Sequence, residues 1–117
     1  MHYQETVIWS KAIRLAERVC SVSAKLPGEE RFGVRLQLTR AAISVASNIA
    51  EGWARESKKE RRQFLSIASG SLAELHTQLL ICERVGWLNE PDLSEVKALI
   101  DQVGRMLTTL RKAARTV

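Results

Sequence analysis

Proline and glycine are scarce in this chain, two and six among 117 residues, and no β-branched or aromatic run alternates with polar residues. With so few helix breakers and no strand-like runs, a sheet-rich fold is excluded and helices are left to satisfy the backbone. Only two histidines occur, His2 and His76, and neither has a spaced partner that would complete a catalytic triad or a metal site. Glu74-Leu75-His76 also lacks the Glu-x-x-His spacing that sets two di-iron ligands on one helical face. A Gly-rich phosphate loop is missing too. Neither catalysis nor a cofactor nor a metal is therefore expected. Cys20 and Cys82 fall within helical periodicities and make no disulfide framework; both are read as core or interface residues. Apolar runs stay far below the ~20 residues needed to span a bilayer. The first six residues have neither a basic n-region nor an apolar h-region. No membrane association is expected, and the cytoplasm is the expected address.

What is present is the balance of an ordinary soluble domain, 45% hydrophobic and 26% charged, with a length suited to one core. Ile8, Ala12, Leu15, Val19, Val22 and Leu26 repeat at alternating steps of four and three before Pro27-Gly28, which predicts helix 1 over about 5–26. Leu38, Ala42, Val45 and Ile49 keep the same rhythm up to Gly52, predicting helix 2 over about 34–54. Ser57-Lys58-Lys59-Glu60 has the form of a capping box, and Leu65, Ala68, Leu72, Leu75, Leu79 and Cys82 follow it towards Gly86. Helix 3 is predicted over about 58–85. Asn89-Glu90-Pro91-Asp92 then opens the series Leu93, Val96, Ile100, Val103, Leu107 and Leu110, predicting helix 4 over about 91–114. Four such helices with short connections imply an all-α, antiparallel up-down-up-down four-helix bundle in a single domain, 1–117.

Helix 1 carries a second apolar series, Trp9, Ile13, Ala16 and Cys20, turned by roughly 100° from the first. On helix 2, Leu36, Ile43 and Ala50 likewise point away from the main stripe. One core does not easily absorb both directions, so these seven residues are the candidate contacts of a homo-oligomer made mainly by helices 1 and 2. The alternative is a wide stripe inside a monomer.

A polar stripe, Arg40, Ser44, Asn48, Glu51 and Arg55, runs along the otherwise apolar helix 2. The segment Arg40-Ala41-Ala42-Ile43-Ser44-Val45-Ala46-Ser47-Asn48-Ile49-Ala50-Glu51-Gly52 is followed by Phe64-Leu65-x-Ile67-Ala68-x-Gly70-Ser71-x-x-Glu74-Leu75. Together these residues resemble the four-helix bundle family encoded by intervening sequences in bacterial 23S ribosomal RNA genes, whose relatives include the accessory protein of diversity-generating retroelements. The resemblance covers nearly the whole chain and is densest over residues 37–75. It implies a basic helical oligomer that engages nucleic acid, the characterised relatives being pentameric barrels with a positive surface, so a pentamer is the favoured assembly. It also implies an accessory role in ribosomal RNA processing or reverse transcription, with a reverse transcriptase as one kind of protein partner. Ser44, Asn48, Glu51, Glu60, Ser71 and Glu74 match the family pattern and are read as a structural polar network.

Lys and Arg number 18 against 13 Asp and Glu, a net charge of +5, and the planar fork of Arg suits phosphate. The densest cluster is Arg55, Lys58, Lys59, Arg61 and Arg62 at the turn into helix 3. Arg111, Lys112 and Arg115 form a second cluster, Lys11, Arg14 and Arg18 a third series, and Arg40 stands apart on helix 2. These twelve are the candidate phosphate contacts. Charge runs are also commonly just solvated faces, which keeps open the alternative of a protein-interaction scaffold with incidental basic charge. Five copies at +5 would present about +25 to a phosphate backbone. With no base-reading motif present, any binding is expected to follow shape and charge rather than sequence.

Overall fold

The computed structural model describes residues 2–115, with Glu30, Arg31 and Arg115 described in the backbone only. A single 3-10 turn, Tyr3–Glu5, leads into α1 (Val7–Ser23), and α2 (Glu30–Ala54), α3 (Lys58–Arg84) and α4 (Glu90–Arg115) follow. The starts of α1 and α3 are capped by side chains. Thr6 accepts from the Trp9 amide at the head of α1, at 3.2 Å, and Ser57 accepts from the Glu60 amide at the head of α3, at 3.3 Å. The α3 terminus is a Schellman closure. Gly86 takes φ +84°, its amide donates to the Glu83 carbonyl at 3.1 Å, and the Trp87 amide reaches back to Cys82 at 2.9 Å.

Helices 1 and 2 differ from the sequence expectation, helix 1 starting at Val7 rather than 5 because Tyr3–Glu5 form a separate 3-10 turn. Helix 1 ends at Ser23 rather than 26, and the chain tightens into i to i+3 turns that still deliver Leu26 to the core. Helix 2 begins at Glu30 rather than 34, because Glu30 and Arg31 form its first turn and Gly33 is carried within the helix. Helices 3 and 4 fall within one residue of their expected ends.

Each helix packs on its chain neighbours and α4 closes against α1, while among the described residues the backbones of the diagonal pairs α1/α3 and α2/α4 stay further apart. The result is a square antiparallel rod, 49 × 22 × 22 Å. Every residue of the four main stripes is buried except Leu110, which packs on the core edge. Burying a Leu, Ile or Val side chain is worth about 1.5–3 kcal/mol, so these stripes dominate the folding energy. The antiparallel order has one result that matters for the site: the α2–α3 turn, the start of α1 and the end of α4 meet at the same end of the rod.

Candidate nucleic-acid interface

That end gathers charge that the linear sequence disperses. The half of the rod formed by residues 2–15, 43–71 and 101–115 holds eleven of the 18 cations and five of the 13 acids, a net +6 that leaves −1 for the other half, or +5 and 0 once Arg14 is set against Glu95, its ion-pair partner across the boundary. Charge of one sign confined to one end creates a local field that a modest whole-chain charge understates.

Within the 55–62 cluster the cations have separate roles. Arg61 is partly buried and supports the turn: its Nε donates to the Gly52 carbonyl at 3.3 Å, its Nη2 donates to the Arg55 carbonyl at 3.0 Å, and its guanidinium lies 5.7 Å from the centre of the Trp53 ring. It thereby takes up the Arg55 carbonyl and adds a second donor to the Gly52 carbonyl, which already accepts from the Arg55 amide at 3.3 Å. Gly52 allows the close approach, since a Cβ there would meet Phe64 Cβ at 3.2 Å and the Arg61 carbonyl at 3.3 Å. Arg55 pairs with Glu51 at 3.0 Å and sits over Phe64 at 4.8 Å. Lys58, Lys59 and Arg62 are exposed on the first turn of α3.

The other candidates divide between the two ends. Arg111 donates to Ser69 at 3.2 Å, its Nε is buried without a partner, and Lys112 beside it is exposed. Arg115 terminates α4, and its side chain lies outside the described residues. The α1 series is drawn onto α4, with Lys11 donating to Gln102 at 2.7 Å, Arg14 pairing with Glu95 at 2.8 Å and Arg18 reaching the same carboxylate at 3.6 Å. Arg40 is exposed on the outer side of α2, away from the basic end. Arg105 was not singled out from the sequence, yet it is 81% exposed on α4 at the basic end, with only its Nε drawn to Asp101 at 3.2 Å. Folding the predicted helices antiparallel before adding up charge would have found it.

The polar stripe of α2 meets α3. Ser44 and Ser71 share a 2.7 Å hydroxyl contact, and Asn48 Nδ2 donates to the Ser44 carbonyl at 2.8 Å and to its Oγ at 3.0 Å. Glu74 accepts from Gln78 at 3.1 Å, Glu51 holds Arg55, and Glu60 lies in the first turn of α3.

The apolar candidates separate as well. Trp9, Ile13 and Ala16 are partly buried against the core of their own chain, with Tyr3 5.5 Å from Trp9. A helix flanked by α2 and α4 uses a wider stripe than one seam requires, so these three are packed within the bundle. Cys20 is exposed. Leu36 and Ile43 are exposed, Ile43 to 52%, while Ala50 is intermediate. Phe32, 79% exposed, continues their line, and the sequence reading missed it along with the exposed Ile67 and Ile81 of α3 and Val85 just past its end. With Ser44 level with Ser71, helical geometry sets the α2 and α3 residues along adjoining outer faces. Most of the exposed large apolar residues therefore lie on α2 and α3, with Val7 exposed at the start of α1.

At the far end, Lys97 bridges Glu83 at 2.9 Å and Glu90 at 2.8 Å. The hydrogen bond from Lys97 holds the Glu90 carboxyl below its ordinary range, and the two carboxylates, Glu90 first, raise the Lys97 ammonium above its own. Burial pushes the Cys82 thiol up. Among the described residues no three His, Cys, Asp or Glu side chains gather as a metal site would need, and no helix is long and apolar enough to cross a membrane.

Comparison with known proteins bears on the fold and the family. A crystal structure of a protein of unknown function from the S23 ribosomal protein family of Bacteroides thetaiotaomicron is 20% identical and superposes with a TM-score of 0.83, over 91% of this chain and 99% of that one. At that identity the likeness speaks for the fold alone. No curated protein matches. The family model for the 23S rRNA-intervening sequence protein matches residues 4–109. The match spans all of α1, α2 and α3 and most of α4, and the chain belongs to the 23S rRNA-intervening sequence protein family.

Proposed function

We propose that this protein is a non-enzymatic, homo-oligomeric bundle that binds RNA or DNA through phosphate contacts at its basic end, as an accessory to ribosomal RNA processing or reverse transcription. The observation that carries the reading is the confinement of a net +6 to one half of the rod. Lys58, Lys59, Arg62, Arg105 and Lys112 are the contacts in direct reach of a polyanion, and Arg61 shapes the turn that presents three of them. Self-association is supported by the exposed apolar residues of α2 and α3, which ordinary soluble surfaces do not align in this way. Five subunits is the working number.

Binding of structured RNA and of duplex DNA, measured across a salt series, tests the reading. Each phosphate contact contributes roughly 0.7–0.9 to the slope of log affinity against log salt. Lys59→Gln with Arg62→Gln should lower that slope by roughly 1.5 and leave helix content unchanged. No affinity at low salt would remove the nucleic-acid function.

A second reading is favoured by one observation of its own: the α2–α3 apolar surface also suits a protein partner such as a reverse transcriptase. A chain that stays monomeric in dilute solution and ignores nucleic acid would support that scaffold role.

A further inference from the structure

We propose that a recess beside Trp53 receives an unstacked nucleobase, so that the basic end favours single-stranded or looped nucleic acid over a closed duplex. This rests on the reading above that the basic end meets phosphate. The recess has a volume of about 360 Å³, and its apolar walls come from three helices: Val7 and Ile8 at the start of α1, Trp53 near the end of α2, and Met106 and Leu110 on α4. A volume of this size lies in the range of small-molecule sites. Trp53 is half-buried, so its indole forms part of the wall and still meets solvent.

The surroundings favour a nucleotide over a neutral apolar group. Arg105 stands on the rim, 81% exposed, and the Arg61 guanidinium lies 5.7 Å from the Trp53 ring centre on the turn side. A base seated between them would carry its phosphates into the most positive part of the molecule. Base stacking on an aromatic ring combined with cations tracking the backbone is the general solution for single strands. A paired base must first leave its stack to enter such a recess, and that cost falls only on the duplex.

The polar groups of the walls also define what the recess cannot do. Thr6 Oγ1 donates to the Tyr3 carbonyl at 2.7 Å and accepts from the Trp9 amide, while Thr109 Oγ1 donates to the Arg105 carbonyl at 3.1 Å. Both hydroxyls are engaged by backbone, which leaves Arg105 as the charged side chain of the rim. Stacking and charge, rather than wall hydroxyls, would therefore select the ligand.

The test uses a Trp9→Phe/Trp87→Phe protein, in which Trp53 is the sole tryptophan, titrated at low salt with an oligouridylate and with a duplex of equal length. The single strand should quench Trp53 emission strongly and the duplex weakly. Trp53→Ala should weaken single-strand binding roughly tenfold, the usual scale of one base–aromatic stack, with less than a twofold change for the duplex. Quenching is read on the intact Trp53 side chain, so a poorly folded Trp53→Ala protein does not blunt the test. Binding of both nucleic acids without quenching, or with equal losses in Trp53→Ala, overturns the recess and leaves the basic end standing. No binding of either at low salt overturns both. An apolar peptide that quenches Trp53 where oligouridylate does not also overturns the nucleobase assignment.

Discussion

Ser44 and Ser71 face each other across α2 and α3 with their hydroxyl oxygens 2.7 Å apart, and Asn48 donates to the same Ser44 oxygen at 3.0 Å. The pair ties together two helices whose outer sides carry the exposed apolar residues, and it makes a polar contact in the middle of a long apolar seam. Ser44→Ala should cost about 1 kcal/mol in urea unfolding, because it removes the partner of Ser71 and one of the two acceptors of Asn48. Ser71→Ala should cost about as much. The double variant should cost less than the sum of the two by about 0.5 kcal/mol or more, as expected for groups in direct contact. Strict additivity would show that the hydroxyls do not interact.

Two glycines should respond oppositely to the same added methyl. Gly52→Ala places a Cβ 3.2 Å from Phe64 Cβ and 3.3 Å from the Arg61 carbonyl, and backbone cannot yield as a flexible side chain can. A loss of about 1–3 kcal/mol is expected. At Gly70 nothing lies within 4 Å, so Gly70→Ala should gain about 0.5–1 kcal/mol from helix propensity alone. Chemical unfolding of both variants checks the contrast. A loss at Gly70 would indicate that another chain covers this side of α3 in the assembled protein.

The thiols give a chemical reading of the α1 surface. Cys20 is exposed, whereas Cys82 is buried and burial raises its pKa, which suppresses the reactive thiolate. A thiol reagent should modify one cysteine per folded chain quickly and the second only after denaturation. Slow reaction at Cys20 would return the outer side of α1 to the subunit contact.

Acid and base should act on opposite partners at the Lys97 bridge. Glu90 has a lowered pKa in the folded chain, so its contribution is present above the ordinary glutamate value and is lost as pH falls below that value and through the folded one. Lys97 has a raised pKa, so its contribution is full below the ordinary lysine value and disappears as pH rises through the folded one, above about pH 10. Lys97→Met should therefore flatten the stability profile in both windows. The groups are solvent-accessible, so the difference should be small and should shrink in high salt. Thermal melts at several pH values in low and high salt measure it.

The bundle itself was legible in the sequence because one rule generates it: residues three and four apart share a face, and twenty-one of the twenty-two stripe positions are buried in the folded chain. Ser57 and Gly86 marked the helix ends through local geometry that needs no tertiary information. The exposed apolar surface was legible only in part. Leu36 and Ile43 recur every seven residues, but Ile67 and Ile81 are fourteen apart with Glu74 at the intervening step, and with Val85 they gain meaning only when α3 lies beside α2. Trp9, Ile13 and Ala16 are partly buried against their own core, since a helix between two neighbours buries more than a single stripe, and that packing is not written in their spacing. The Trp53 recess draws on three distant segments, and no window along the chain contains it.

A slender rod with cations at its tip and a greasy flank has two qualitatively different ways to multiply. Copies arranged around an axis parallel to their length would aim every tip in one direction, producing a disc that is cationic on one side and nearly neutral on the reverse. Copies related by a two-fold axis across their length would place the tips at opposite poles, a dumb-bell suited to bridging two strands. The symmetry operator alone would thus decide whether the same chain clamps one polyanion or tethers two.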